Sequence, residues 1–274
     1  MAAAPPTVGA AVRAGAAQLA ECSATPRLDA ELLLGRVLGV GRERLVIDRA
    51  RPLAAPQAVR FDALVERRAA HEPVAYILGR RAFRRLELSV DRRVLIPRPE
   101  TELLVEVGLQ FAAGSSVLDV GTGSGAVALA LADERPDLEV RGVDVSVDAV
   151  AVARENAARL GLDVSFRVGD LVEGCAPADH VLANLPYVAD RAPLPADVVG
   201  WEPGGALFAG PDGLAVIRRL VGAVAVRRWP RLLALEIGSE QGAAVAQLVR
   251  RAGFAQVEVR RDLAGSERVV VGRR

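Results

Sequence analysis

Val117-Leu118-Asp119-Val120-Gly121-Thr122-Gly123-Ser124-Gly125 joins an apolar run to three glycines and leads into an Ala-rich stretch that begins at Ala126. The order reads as a buried strand, a tight turn and a helix. Glycines in such a turn allow sharp reversal and a close approach of the backbone to a ligand. Asp144 follows about twenty residues later, at the end of the next apolar run, where a carboxylate can accept from both hydroxyls of a ribose. The loop and that acid together predict a nucleotide-type site on an open α/β sheet.

Working outward, strands are expected at Val117–Val120, Glu139–Asp144, Val164–Val168, His180–Asn184, Leu232–Ile237, Val257–Arg260 and Arg268–Val271, with helices between most of them. The fold class is therefore α/β, a doubly wound, mostly parallel seven-stranded sheet that binds ligands beyond the carboxyl ends of its strands. Upstream the periodicity is helical, with Val8, Val12 and Leu19, then Leu28, Leu32, Leu33 and Val37, then Phe61, Leu64 and Val65. Between these parts Leu86, Leu88 and Val90 alternate, followed by Asp91-Arg92 and by Val94 and Ile96, which predicts a β-hairpin turning at Asp91-Arg92. Three regions result: a helical domain at 1–80, a hairpin linker at 81–98 and an α/β domain at 99–274.

Composition narrows the classes. The 274 residues carry a formal net charge of +1, with 51% hydrophobic and 25% charged residues, which suits a packed globular chain and gives no broad field for nucleic acid. Two cysteines, Cys22 and Cys175, and two histidines, His71 and His180, stand apart without ligand spacing, so no metal is expected. Arg13 and the Gln18–Glu21 segment interrupt the Ala-rich start, so neither a signal segment nor a membrane span is predicted, and the expected location is cytoplasmic.

The glycine loop fits two cofactors, because Gly121-x-Gly123-x-x-Ala126 also satisfies a dinucleotide fingerprint. Asp119, two residues before Gly121, would repel a pyrophosphate but could meet the cationic amino group of a methionine moiety. Gly169-Asp170-Leu171 after the third strand offers a further carboxylate, suited to an adenine amino group. Asp119, Asp144 and Asp170, with Gly121, Thr122, Gly123 and Leu171, thus outline a site for S-adenosylmethionine.

After the fourth strand comes Asn184-Leu185-Pro186-Tyr187. An amide or ring-attached amino nitrogen is a weak nucleophile, because its lone pair is delocalised. Two acceptors on its N–H groups would orient it and draw electron density toward an incoming methyl. The Asn184 side-chain oxygen and the Leu185 carbonyl can be those acceptors, with Pro186 stiffening the loop and Tyr187 packing against the planar group. Asn184 also borders the cofactor. A non-catalytic cofactor-binding protein and an adenine-N6 nucleic-acid methyltransferase are alternatives, the latter with Arg80, Arg81, Arg84 and Arg85 as a local basic cluster.

The chain resembles the protein-(glutamine-N5) methyltransferases of peptide-chain release factors, the HemK/PrmC family. The resemblance spans nearly the whole length and rests on Asp29–Leu34, Glu72–Gly79, Leu95–Glu102, the glycine loop, Trp201-Glu202-Pro203 with Ala206-Leu207-Phe208, Asp212-Gly213-Leu214, and Asp262–Gly265 with Arg268. It implies a class I methyltransferase-type sheet, a helical domain that docks a release factor, and methylation of the glutamine in a Gly-Gly-Gln loop with S-adenosylmethionine as donor. No membrane or stable nucleic-acid partner is implied. The family usually has Asn-Pro-Pro-Tyr; Leu185 is a departure, which leaves the backbone carbonyl as acceptor in a less rigid loop.

Overall fold

The computed structural model describes residues 5–274; residues 1–4, the start of the expected helical domain, lie outside the described residues. Two compact units are present: Met1–Gly79 with Leu194–Trp201, and Arg80–Pro193 with Glu202–Arg274.

The first unit contains α1 (Val8–Gln18), α2 (Pro26–Leu38), α3 (Arg42–Ile47), α4 (Ala55–Ala69) and α5 (Val74–Leu78). Thr7 caps α1 by accepting from the Ala10 N–H at 3.2 Å, and Pro26 opens α2, where its missing N–H costs nothing. Val8, Val12, Leu19, Leu33, Phe61 and Val65 meet in one buried cluster. Gly15 permits this approach, since a Cβ there would stand 2.7 Å from Phe61 Cζ. Buried Arg68 donates to Asp29 at 2.9 Å and reaches Asp197 at 3.4 Å, which ties the Leu194–Trp201 segment to these helices.

The second unit begins with a hairpin, but not the expected one. Strands β1 (Arg80–Phe83) and β2 (Leu86–Ser89) pair antiparallel, with Phe83 opposite Leu86, so the chain reverses at Arg84-Arg85. Arg84 adopts a left-handed φ of 51° there. It is held by two 2.8 Å bonds to Glu134 and by its own N–H on Glu102. Asp91 does form a turn, accepting from the Arg93 N–H, yet no strand follows it. Long-range ion pairs, absent from any local pattern, decide the reversal.

The sheet comprises β3 (Ser116–Val120), β4 (Glu139–Asp144), β5 (Ser165–Val168), β6 (His180–Ala183), β7 (Leu232–Glu236), β8 (Gln256–Arg261) and β9 (Glu267–Arg273). Their order is β5-β4-β3-β6-β7-β9-β8, parallel through β7, with β9 antiparallel to both neighbours. Helices α6 (Glu102–Gly108), α7 (Ala126–Glu134) and α8 (Val147–Leu160) precede α9 (Ala196–Val199), which lies in the first unit's segment; α10 (Ala215–Arg227) and α11 (Gly242–Arg251) follow.

Alternate strand residues enter opposite cores. Val117 and Leu182 pack with residues of α6, α7 and α8, whereas Leu118, Val120, Val181 and Ala183 pack with residues of α10 and α11. Burial on both faces explains why these strands read as continuous apolar runs. The strand order reverses between β3 and β6, whose register places Val120 opposite Ala183. That reversal brings the glycine loop beside Asn184.

Candidate active site

Beyond the carboxyl ends of these strands lies a cavity of about 560 Å³. Asp119, Gly121, Thr122, Gly123, Asp144, Asp170, Leu171, Asn184, Leu185 and Pro186 all line it, so all but one of the expected site residues converge there. Tyr187 is the exception, as it is not among the lining residues.

At the cofactor end, Gly121 and Gly123 hold positive φ of 74° and 55°, which only glycine adopts without strain. A Cβ on Gly121 would meet Leu185 Cδ2 at 3.0 Å and the Asn184 carbonyl at 3.2 Å, so this loop presses directly on the tetrapeptide. Asp144 accepts from the Gly123 N–H and the Ser146 N–H, both at 2.9 Å. A carboxylate has lone pairs beyond those two bonds, enough to receive a pair of hydroxyls. Burial raises its pKa, opposed by the backbone donors.

Asp119 sits deeper. Its Oδ2 accepts from the Thr122 hydroxyl at 2.6 Å and from the Ala128 N–H at 3.3 Å, bracing the loop against the first turn of α7. Burial pushes this carboxyl up to about 7. An added positive charge in the cavity would favour its ionised form, as expected of a pocket suited to a cationic ligand. Asp170 is ion-paired with Arg219 at the cavity wall, and Leu171 beside it has a left-handed φ of 51°.

At the other end, Asn184 donates from Nδ2 to Thr101 Oγ1 at 2.9 Å. Thr101 is carried on the single turn Pro99–Thr101 that opens α6. The strap leading to that turn is anchored by buried Glu202, which accepts from the Ile96 N–H at 3.0 Å and the Arg98 guanidinium at 2.5 Å. Tyr187 sends its hydroxyl to Glu236 Oε1 at 3.2 Å. Burial, with that carboxylate beside it, raises the phenol pKa, and burial pushes Glu236 up to about 7. Thr101 and Glu236 had not been expected as site residues. The signal for Glu236 was present in Leu232–Ile237, where one acid interrupts an otherwise apolar strand.

Comparison with known proteins agrees with the fold. Residues 10–79 match the family model of the PrmC N-terminal domain, and residues 99–198 match that of the methyltransferase small domain. The release factor glutamine methyltransferase of Burkholderia pseudomallei is 44% identical, over 95% of this chain and 96% of that protein. That of Deinococcus radiodurans is 40% identical, over 91% and 92%. A methyltransferase structure from Pyrococcus furiosus superposes with a TM-score of 0.53 at 16% identity, over 69% of this chain and 88% of that one, and shares the fold.

Fold and cavity define a class I methyltransferase whose cofactor is S-adenosylmethionine. Within that class, the chain belongs to the release factor glutamine methyltransferase family.

Proposed function

We propose that this protein methylates the side-chain amide nitrogen, N5, of the glutamine in the Gly-Gly-Gln loop of peptide chain release factors. One observation carries the reading. Asn184 stands in the cavity wall with Nδ2 committed to Thr101, which leaves Oδ1 as an acceptor for a substrate N–H.

When bound, S-adenosylmethionine supplies an electrophilic methyl group. The residues that would hold it are the Gly121–Gly123 backbone, Asp144 for the ribose hydroxyls, Asp170 and Leu171 beside the adenine, and Asp119, whose charge faces the cationic end. Asn184 Oδ1 and the Leu185 carbonyl orient the glutamine amide by taking one N–H each, which favours the nitrogen geometry required for attack. The Leu185 side chain is buried beside Gly121, so the main chain is the part of that residue suited to accept. Tyr187 braces the motif through Glu236.

We assign the 1–80 helical region to release-factor docking, the 81–98 region to the linker, and 99–274 to methyl transfer. Among the described residues no helix is long and apolar enough to cross a membrane. Of the cluster Arg80, Arg81, Arg84 and Arg85, three members are ion-paired, Arg80 with Glu87, Arg84 with Glu134 and Arg85 with Asp133, which weakens the nucleic-acid alternative. The cytoplasm, where release factors act, is the proposed location.

The test is co-expression with a release factor, followed by mass spectrometry of the Gly-Gly-Gln peptide. One added methyl on the glutamine is expected; an unmodified peptide from cells with folded, cofactor-binding protein would overturn the assignment.

A further inference from the structure

We propose that Thr101 is a positioning residue for methyl transfer: its hydroxyl holds the Asn184 amide, and a clamp made by Glu202 on the strap at 96–101 holds Thr101 in place. This rests on the reading of Asn184 as an acceptor for the glutamine amide.

The Asn184 side chain borders the cavity, and its bond from Nδ2 to Thr101 Oγ1 at 2.9 Å is the one hydrogen bond that side chain makes among the described residues. The terminal torsion of an asparagine is broad and close to two-fold. A single partner therefore sets the amide plane, and an unheld amide swings its oxygen away from a substrate N–H. Thr101 is 4% exposed, which shields the bond from bulk water.

A hydroxyl is only as steady as the backbone that carries it. The strap runs Ile96-Pro97-Arg98-Pro99. Each proline fixes its own φ and biases the residue before it toward extended backbone; Arg98 has φ −92° and ψ 144°. Prolines offer no N–H, so the strap has to be gripped elsewhere. Glu202 does so with both oxygens: Oε2 accepts from the Ile96 N–H at 3.0 Å, and Oε1 from the Arg98 guanidinium at 2.5 Å. Past Pro99, the Thr101 N–H donates to the Arg98 carbonyl at 3.1 Å. From Glu202 to Asn184, every link is a hydrogen bond or a proline-stiffened step of backbone.

The ion pair is a costly way to fill space. The Glu202 side chain is 1% exposed and that of Arg98 33%. A carboxylate buried in this way gains little stability over an apolar residue of similar volume. What it gives here is one conformation of the strap, and hence one place for the Thr101 hydroxyl.

Because the chain contains only two asparagines, Asn156 and Asn184, selective 15N-asparagine labelling of the full-length protein yields two side-chain amide signals. Asn156 is fully buried and bonded to the Ser89 and Ser124 carbonyls, so its signal reports on the fold. In Thr101→Val, which keeps the shape and removes the hydroxyl, the Asn184 pair should shift and exchange faster with solvent while the Asn156 pair stays in place. Glu202→Gln sets an NH2 group against the guanidinium donors of Arg98 and should move the Asn184 pair in the same direction. Thr101→Ser, which keeps the hydroxyl, should restore the parent signal.

Kinetics provide the second readout. For Thr101→Val, kcat for methyl transfer to release factor should fall about 10-fold, with KM for both substrates within about 3-fold of the parent and Thr101→Ser close to it. Glu202→Gln should lower kcat about 5-fold alone, but less than about 2-fold when added to Thr101→Val, because the hydroxyl it acts through is already gone. An Asn184 signal unmoved in Thr101→Val while Asn156 is intact would overturn the proposal, as would a parent-level kcat or a Thr101→Ser protein that behaves like Thr101→Val. Losses that multiply in the double variant would overturn the clamp. If the parent protein itself left release factor unmodified, the proposed function would fall, yet the amide signals would still decide whether Thr101 holds Asn184.

Discussion

At the cofactor end of the cavity, carboxylates are tied mainly to backbone N–H groups: Asp144 to those of Gly123 and Ser146, Asp119 to that of Ala128 and also to the Thr122 hydroxyl. At the substrate end the bonds run from side chain to side chain, Asn184 to Thr101 and Tyr187 to Glu236, across three separate stretches of the chain. A carboxylate held by backbone N–H groups keeps its partners under most substitutions of the donor residues, since every residue but proline has one. A network of side chains depends on the protonation and identity of every member. The proposed binding end and the proposed reacting end thus stand on supports of different robustness.

The largest expected break lies on the side-chain end. Asn184→Ala should lower kcat by about 100-fold to 1,000-fold in a tritium-transfer assay, since it removes one of two acceptors on the reacting amide. Across the cavity, Asp144→Asn should weaken cofactor binding by about 10-fold in calorimetry, because its NH2 group must face a backbone N–H, while kcat at saturating cofactor changes little. The contrast between a kcat effect and a binding effect is what the comparison requires. If Asp144→Asn lowered kcat as severely as Asn184→Ala, the two ends would not be separable.

Smaller effects sharpen the boundary. Gly121→Ala should cost about 1–2 kcal/mol in chemical denaturation, from the left-handed φ alone, and more from the contact with Leu185. Adding Leu185→Ala should return part of that contact cost but none of the backbone cost. Asp119 provides the mildest probe. Its folded pKa of about 7 exceeds the ordinary 3.8, so between those values the folded state holds the extra proton and stability falls as pH rises. In cofactor-free protein, Asp119→Asn should flatten this slope by about 1 kcal/mol per pH unit over roughly pH 4–7, measured by urea unfolding.

How much of this was legible follows the same division. The strand, glycine turn and helix from Val117 onward are encoded in consecutive residues, and the strand register then carries Asp144 and Asn184 to the cavity. The hairpin was misplaced because Arg84 turns the chain through partners at Glu102 and Glu134, which no local alternation reveals. Thr101 was visible only within the Leu95–Glu102 resemblance, and its contact is with Asn184, 83 residues away. Tyr187 was expected against the substrate plane, a role that remains a proposal, while its hydroxyl goes to Glu236. Side-chain networks between distant segments leave no periodic trace.

Gly121 has one further consequence. The absent methyl at this position lets the glycine loop and the tetrapeptide share a single wall of the cavity. Positions 121 and 185 therefore share one allotment of space, and a family member that enlarges one must shrink or bend the other. Their histories should be linked: among relatives, exchanges at the second residue of the tetrapeptide should travel with adjustments in the loop, as two parts of one inherited joint.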